Sequence, residues 1–531
     1  MKQRITYVVQ NPEEFSPEQL VVNNEGDFGP SFTLKGVHAA KEHRITLSLD
    51  ELPKELSKVF QQWHELHIRW ASPKPYTATP PFTSRVSPGL HVFFTPLDTT
   101  PENALCETLR SFVPGDLTND ERPKCSSTND TSIKLPILSE RFSMSASSQY
   151  YAYLESLNYF IGRFRESFCR KRMQCYENLR QFSSALYIDI DYDTISRTVV
   201  LTAGWPRATG AIEDGWDETI TLPSEDATVE IGVLSHEPNS DPEDIQFGGF
   251  LTVLGQDERP KATRFQTPTR HYPLLQSSST ATLNPHPLTF TTSFNQPTGL
   301  HPTLTLTFPS QHLTPPNPSC KLHTHLTLPS ALFIDAYQFS DALFLASKNL
   351  KSLRSLAGAT DLEAPNWVVQ QWGSAALFQL ALPPLHHASS NTQGTWNSSI
   401  PLHLRYLPAS AASHTSVPVP WPVVFWACRA EEGAKQSSNP FDRMHLGYEG
   451  LFGPKTRFMH VEPSGASGHI EGAKSDGLVE WIEVPVLDTR WSGWVEGGTV
   501  GMVVLAFLGL CWVLFGKTDG RREVEREKKK Q

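Results

Sequence analysis

The chain has 531 residues, of which 39% are hydrophobic and 19% charged, so it can bury a sizeable core and wholesale disorder is excluded. Its net charge of −10 argues against a general nucleic-acid binder, because no basic excess is available to neutralise phosphates. The 42 prolines favour strands and loops over long helices, since proline has no backbone N–H.

Residues 1–245 are predicted to form an N-terminal β-rich domain. Polarity alternates along residues 4–9 and 44–49, which is the period of a half-buried strand, and strand patterns return at 186–192 and 198–202. Prolines and glycines separate these runs, as expected for strands joined by turns.

A long helix is predicted near residues 148–182 of this domain. Its apolar residues are spaced four and three apart, which places one stripe on a helix and indicates a surface helix packed on a sheet. The residues of this stripe are Tyr150, Leu154, Leu157, Ile161, Phe164 and Phe168.

Residues 246–287 are rich in proline, serine and threonine and are predicted to be an interdomain segment. Residues 288–490 are predicted to form a second β-rich domain, because short alternating strands with proline-rich connections indicate an antiparallel sandwich. The predicted fold is therefore mainly β with an α-helical insertion (α+β): two β-rich, sandwich-like domains followed by one C-terminal transmembrane helix.

Residues 498–516 carry no charge and are long enough to cross most of a ~30 Å hydrocarbon layer as a helix. Trp491 and Trp494 precede them, and tryptophan favours the membrane interface. The tail at 517–531 is strongly basic, whereas Arg490 is the one basic residue in the twenty before the span. The positive-inside rule therefore predicts a single-pass protein with a cytosolic tail and a lumenal N-terminal part.

Three signals suggest the endoplasmic reticulum membrane as the location. Lys528 and Lys529 lie four and three places from the C-terminus, which is the spacing of a dilysine retrieval signal; a basic patch on an anionic leaflet is the alternative. Asn129 and Asn397 begin N-glycosylation sequons in polar, loop-like sequence. Six cysteines precede the span and permit up to three disulfides of open connectivity, as is usual in an oxidising compartment: Cys106, Cys125, Cys169, Cys175, Cys320 and Cys428.

Two patterns raise the question of metal-dependent chemistry. Asp189 and Asp191 flank Ile190, and paired carboxylates of this kind hold a divalent metal in many glycosyltransferases. However, alternation with apolar residues is also what a strand with one solvated face shows, and no nucleotide-binding pattern surrounds the pair. His323 and His325 share a strand face, and His386 and His387 form a second pair, but no three or four ligands converge in the sequence. A solvated strand face is the favoured interpretation of His323 and His325.

A set of ordered motifs in the C-terminal half resembles the PIG-X family, whose longer fungal members are the protease B nonderepressible proteins. The opening residues 4–7 and the predicted central helix are similar to the fungal members too. The motifs occupy residues 297–304, 329–338, 362–367, 400–406, 417–428, 439–443 and 447–453.

The resemblance implies a noncatalytic subunit of glycosylphosphatidylinositol (GPI) mannosyltransferase 1. That enzyme adds the first mannose to the GPI-anchor precursor on the lumenal face of the endoplasmic reticulum, with dolichol-phosphate mannose as donor. The family resemblance implies a multi-span catalytic partner of the PIG-M type, a stabilising role toward it, an added role in folding other lumenal proteins, and no catalytic residue or cofactor of its own. Two alternatives stay open: a general lumenal folding factor, and a metal-dependent glycosyltransferase using Asp189 and Asp191.

Overall fold

The computed structural model describes most of the chain, with gaps between the following ranges. The described residues are 1–9, 11–24, 29–110, 127–138, 146–169, 179–208, 215–223, 227–237, 247–256, 259–267, 288–296, 298–310, 313–383, 394–430, 439, 441–464 and 477–528.

The first part of the chain builds two sheets from fourteen strands. The strands are β1 (Lys2–Val9), β2 (Leu20–Asn23), β3 (Ser31–Val37), β4 (Ala39–Ser48), β5 (Trp63–Ala71), β6 (Gly89–Pro96), β7 (Ile133–Lys134), β8 (Ser148–Ala152), β9 (Tyr187–Asp193), β10 (Thr198–Trp205), β11 (Trp216–Thr221), β12 (Thr228–His236), β13 (Phe247–Leu254) and β14 (Thr263–Thr267).

Eleven of these strands form one sheet, here called the N-terminal sheet. Its order is β14-β13-β12-β1-β4-β10-β9-β5-β6-β8-β7, and a separate three-stranded sheet has the order β11-β3-β2. Strand β1 pairs in parallel with β12 and antiparallel with β4. The alternation that predicted strands at residues 4–9, 44–49, 186–192 and 198–202 is confirmed by β1, β4, β9 and β10.

Within the described ranges, four helices accompany these sheets: α1 (Lys54–Phe60), α2 (Ala104–Arg110), α3 (Thr128–Thr131) and α4 (Asn158–Cys169). The helix predicted near 148–182 is wrong at its start, because Tyr150 lies in β8 and pairs with β6. Helix α4 begins at Asn158, and residues 181–184 form a separate 3-10 turn. A buried strand residue ahead of the helix happened to continue the helical spacing, so periodicity alone extended the prediction too far.

Part of the predicted interdomain segment belongs to the N-terminal sheet. Strand β13 pairs antiparallel with β12, and β14 pairs with β13 at the sheet edge. The polar composition of 246–287 therefore concealed two strands at one end of the sheet, where Thr263 and Arg264 of the edge strand β14 are exposed. Residues 268–287 lie outside the described ranges, and the predicted division into domains stays a prediction.

In the described part of the chain from residue 288 to 490, thirteen strands and one short helix follow, the helix being α5 (Ala342–Ser347). The strands are β15 (Thr289–Phe294), β16 (Thr303–Pro309), β17 (Lys321–Pro329), β18 (Leu332–Phe333), β19 (Leu350–Gly358), β20 (Gly373–Leu380), β21 (Thr395–Pro401), β22 (His403–Leu404), β23 (His414–Pro420), β24 (Val423–Arg429), β25 (Thr456–His460), β26 (Glu462–Pro463) and β27 (Val479–Pro485). They form sheets of order β21-β16-β15-β26 and β19-β20-β17-β24-β25, with pairs β18-β22 and β23-β27. The predicted mainly β class is confirmed.

Each of the two largest sheets buries one face in an apolar core. Ile188, Ile190 and Tyr192 of β9 lie in the N-terminal core, beneath the three-stranded sheet and the helices. Asp189 and Asp191 lie between them in sequence and therefore on the opposite face. That polar face is covered by residues 441–452, here called the covering segment, which is where the candidate site lies.

The described residues finish with helix α6 (Ser492–Lys528), the one helix among them that is apolar and long enough to cross a membrane. Residues 489–515 hold this stretch, with a mean hydropathy of 2.3 and side chains exposed on the protein surface. The predicted span at 498–516 coincides with it. An uncovered helix of this composition is stable in a lipid bilayer rather than in water.

Two of the six possible disulfide cysteines are joined in the structure: Cys320 and Cys428 form a disulfide across 108 residues. We expect the double variant Cys320→Ser/Cys428→Ser to lose about 2–5 kcal/mol of stability, because an unfolded chain without this crosslink gains loop entropy. Chemical unfolding of the purified protein measures this. Cys511→Ser, which changes the free cysteine in α6, is the matched control and should leave the unfolding midpoint unchanged.

Candidate functional site: a charged cleft under the covering segment

The connection between β5 and β6 holds the covering segment beside the polar face of the N-terminal sheet, through hydrogen bonds and an aromatic contact. Ser84 donates from Oγ to Asp442 Oδ1 at 3.1 Å and accepts from the backbone N–H of Arg443 at 3.1 Å. Phe82 and Phe441 meet edge to face, with ring centroids 5.2 Å apart. A cleft of about 330 Å³ stays open beside these contacts, lined by residues of β4, β5, β9 and β10 and by the segment itself.

Asp189 lies at the centre of the cleft between two arginines. Its carboxylate is 3.5 Å from Arg69 Nε on one side and 3.5 Å from Arg443 Nε on the other. The Arg443 guanidinium also stacks on the ring of Tyr187, 4.0 Å from the centroid. All three charged side chains are less than a tenth exposed. A buried carboxylate is tolerated only when it is paired, so Arg443 compensates a charge on a strand that is distant in sequence.

His67 is the centre of a second charged group on the same face. Its Nδ1 is 2.8 Å from Asp191 Oδ1 and its Nε2 is 2.7 Å from Glu65 Oε1. The ring of His445 stacks on it at a centroid distance of 3.7 Å. Burial alone would lower the pKa of His67, but the hydrogen bonds to Asp191 and Glu65 outweigh burial and raise it. Burial, together with the neighbouring His67 charge, lowers the pKa of His445 to about 4.

Among the described residues, one group could in principle hold a metal ion: the ligand atoms of Glu65, His67 and His445 lie within 4.8 Å of one another. The two imidazole planes differ by only 19°, so they are nearly parallel. A lone pair on imidazole nitrogen lies in the ring plane, and an ion between two stacked rings would lie outside both planes. The geometry therefore fits a protonated His67 held between two carboxylates better than a metal centre.

The sequence singled out Asp189 and Asp191, and the structure places both in the cleft with protein partners. The prediction of a solvated face is wrong for Asp189, which is 5% exposed because Arg443 covers it. A divalent ion at Asp189 would face two guanidinium groups at close range, and like charges repel strongly at such distances. The Asp-Ile-Asp pattern is therefore explained by ion pairing between distant segments.

His323 and His325 are likewise buried, so the solvated face predicted for them is wrong. The covering segment lies over them: His325 meets the ring of Tyr448 at 5.0 Å, and His323 meets that of Phe452 at 5.2 Å. Burial lowers the pKa of His323 to about 4 and that of His325 to about 3. Both are neutral core side chains at pH 7. His386 and His387 lie outside the described residues.

Backbone conformation fixes the path of the covering segment. Gly447 has φ of +88°, and a Cβ there would meet Phe93 Cε1 at 3.2 Å and Gln149 Oε1 at 3.4 Å. His445 adopts φ of +57° without being glycine. Arg69 holds it there, because its Nη1 donates to the carbonyl oxygens of Met444 and His445. The segment therefore approaches the sheet more closely than ordinary side chains allow.

The remaining predicted positions lie away from the cleft. Asn129 and Asn397 are exposed, but they lie in α3 and β21 rather than in loops. Cys106 is also disulfide-bonded. Lys528 ends α6, whereas Cys125, Cys175, Lys529 and the side chain of Cys169 lie outside the described residues.

Sequence reasoning missed four of the residues that build the cleft: Glu65, His67, Arg69 and His445. A signal for the first three was present, because they occupy alternate positions of residues 63–71 with apolar residues between them. Charged side chains on one face of a central strand need partners. The partner segment was also visible as the family motif at 439–443, but nothing in the sequence paired the two.

Comparison with known proteins gives a consistent result along the whole chain. A family model described as PIG-X / PBN1 matches residues 297–515. "Protein pbn1" of Emericella nidulans is 42% identical over 535 residues, covering 97% of this chain and 95% of its own. "Protein pbn1" of Neurospora crassa is 38% identical, with 97% and 95% covered. "Protein PBN1" of Saccharomyces cerevisiae is 28% identical over 57% of this chain and 62% of its own.

Proposed function

The chain belongs to the PIG-X / PBN1 family, and on that premise we propose that it is the noncatalytic, stabilising subunit of GPI mannosyltransferase 1. The observation that carries the proposal is similarity over 97% of the chain to several fungal family members. The family indicates an accessory role associated with GPI-anchor biosynthesis. The finer assignment is that this subunit supports the addition of the first mannose to the GPI precursor by a multi-span, PIG-M-type catalytic subunit.

The chemistry of the cleft supports a structural rather than a catalytic role. Its buried charges pair with one another: Asp189 with Arg69 and Arg443, and His67 with Glu65 and Asp191. A catalytic carboxylate needs to be held ready for substrate, whereas these are engaged in joining the covering segment to the sheet. The cleft is therefore assigned to holding the two parts of the ectodomain in one arrangement.

We place the protein in the endoplasmic reticulum membrane, with residues before α6 in the lumen and the tail after it in the cytosol. The basic tail and the lysines at 528 and 529 support this orientation through the positive-inside rule and the dilysine spacing. The exposed Asn129 and Asn397 are accessible to a glycan-transferring enzyme on the lumenal side.

Depletion of the protein is expected to lower the amount of the catalytic subunit and to cause GPI precursors lacking mannose to accumulate. The physical reason is that a multi-span protein deprived of its partner exposes an unmatched surface and is degraded. Radiolabelled precursors and immunoblots of the catalytic subunit measure both effects. Normal mannosylated precursors after full depletion would reject the proposal.

A general folding factor would also disturb mannosylation, but indirectly. Affinity purification from detergent-solubilised membranes separates the two roles. A dedicated subunit should co-purify with one multi-span partner in a fixed ratio, whereas a folding factor should bring many proteins in small and variable amounts. The purification uses the full chain, so α6 and the ectodomain are both present.

The variant Asp191→Asn tests the glycosyltransferase alternative, and we expect it to retain precursor mannosylation. Asparagine keeps the size of the side chain and still accepts a hydrogen bond from His67. If Asp191 held a catalytic metal, mannosylation would fall by orders of magnitude while protein levels stayed normal. Alanine at Asp189 is unsuitable for this purpose, because it would leave two buried arginines without their carboxylate.

A further inference from the structure

A group of exposed apolar side chains lies in the part of the chain matched by the family model, away from the charged cleft. We call this group the aromatic patch. Its members are Leu300, Tyr337, Leu362, Trp367, Val368 and Tyr406. Tyr337 is 79% exposed, Tyr406 72% and Trp367 57%. Large apolar side chains grouped on the surface of a folded protein mark binding sites more often than isolated ones do.

Backbone hydrogen bonds bring the patch together around residues 403–406. The N–H of Asn366, next to Trp367, donates to the carbonyl of Tyr406 at 3.0 Å. The N–H of Leu404 donates to the carbonyl of Leu300 at 3.1 Å. Gln338, next to Tyr337, lies with its Nε2 3.3 Å from His403 Nε2. Three loops distant in sequence therefore meet at residues 403–406.

Arg405 fixes the loop that carries Trp367. It is 3% exposed, stacks over the ring of Phe333 at 4.4 Å, and donates from Nη1 to the carbonyl of Ala364 at 2.7 Å. A surface held in this way loses little conformational freedom on binding, which favours affinity. The aromatic side chains are thus presented from a rigid base.

The surroundings of the patch are acidic. Asp341, Asp361 and Glu363 are exposed, and Asp335 is half-buried near His403. Arg405 is an adjacent cation, but it is buried beneath Phe333 and points its charge inward. The patch therefore presents an apolar centre with a negative rim, which is complementary to an apolar segment flanked by lysine or arginine.

The segment that follows residues 403–406 is tied to the base of the membrane helix. Ser410, four residues after Tyr406, donates its N–H to the carbonyl of Leu487 at 3.1 Å and accepts from the N–H of Thr489 at 2.9 Å. Four extended residues reach at most ~14 Å. The patch is therefore close to the point where α6 leaves the ectodomain, and a partner anchored in the same membrane can reach it.

We propose that the aromatic patch is the docking surface for an extended loop of the multi-span catalytic partner, a loop with apolar or aromatic residues flanked by basic ones. This inference rests on the proposed function and specifies which face of the protein serves it. The acidic rim disfavours an anionic lipid surface, which attracts basic patches. It also disfavours a symmetric contact with a second copy, in which acidic rims would face each other.

The double variant Trp367→Glu/Tyr406→Glu tests the docking surface. Both side chains are exposed, so the fold should be retained, while two new negative charges should reduce co-purification of the catalytic subunit at least tenfold. Ile195→Glu is the matched control: Ile195 is 90% exposed on the β9–β10 turn, and the control should co-purify normally. Equal thermal melting of all three proteins verifies that folding is unchanged.

The outcomes separate the two proposals. Loss of the partner in the double variant alone supports the docking surface. Normal recovery of the partner with the double variant overturns the docking surface and leaves the proposed function standing. Failure of the wild-type protein to bring down the catalytic subunit overturns the proposed function itself.

A photo-crosslinking amino acid at position 367 in intact membranes identifies the occupant directly. A crosslink to the catalytic subunit is expected. Crosslinks to lipid alone would assign the patch to the bilayer surface, and crosslinks to a second copy of the chain would assign it to self-association. Either of these results, or no crosslink at all, would overturn the proposal.

Discussion

Replacing Arg443 by methionine is expected to destabilise the protein by about 3–5 kcal/mol, because it leaves a buried carboxylate with half of its compensating charge. Asp189 would keep only the 3.5 Å contact with Arg69, and Tyr187 would lose the cation over its ring. Chemical unfolding of the purified full chain in detergent measures the loss. The covering segment should become sensitive to proteases at lower denaturant concentration than in the wild-type protein.

Two further variants make this result interpretable. Arg4→Met removes a shorter ion pair, 2.9 Å from Glu230, but at a position where Arg4 is half exposed, so it should cost at most about 1 kcal/mol. Adding Asp189→Asn to Arg443→Met removes the uncompensated charge and should recover part of the stability. An effect of Arg443→Met no larger than that of Arg4→Met would contradict the proposed role of the cleft.

The second large effect expected is a loss of folding stability when the pH is lowered. Six buried histidines have a pKa lowered to about 3 or 4, chiefly because burial disfavours their charged form. They are His43, His91, His323, His325, His445 and His460. Their neutral forms are favoured in the folded state, so their contribution is complete above the unfolded pKa of about 6.5 and is lost as the pH falls toward 4.

The size of this effect follows from proton uptake on unfolding. Each such histidine lowers stability by about 1.4 kcal/mol per pH unit below 6.5. Four carboxyl groups have a raised pKa, led by Asp442 at about 6, and they increase stability as the pH falls because the folded state favours their protonated form. They oppose the histidines over a narrower pH range. The net loss is about 3–8 kcal/mol per pH unit, so the fold should be lost near pH 5.

Thermal melting between pH 7.5 and 4.5 measures the acid effect. A melting temperature that stays constant down to pH 5 would contradict the buried, neutral state of these histidines. His43→Gln removes one titrating group and should shift the acid midpoint to lower pH. His414→Gln changes an exposed histidine and should leave the midpoint where it is.

How far the sequence predicted the site depends on the residue. Asp189 and Asp191 were correctly placed on one face of a strand, but their partners, Arg443 and His67, were not predicted. Alternation of polarity predicts the face of the sheet on which a side chain lies, but it does not predict which segment covers that face. His323 and His325 show the same limit: alternation placed them correctly on the strand, and the covering segment then buried them.

The sequence by itself determined the β-rich class, the family and the apolar C-terminal helix, because each rests on local patterns or on motif order within the chain. The tertiary structure decided the burial of Asp189, the helix boundary at Asn158 and the assembly of the aromatic patch. The physical reason is separation along the sequence. Periodicity and composition reflect interactions among a few neighbouring residues, whereas Arg69 contacts Met444 across 375 positions. Contacts of that separation exist only once the sheets have formed and the covering segment has closed over them.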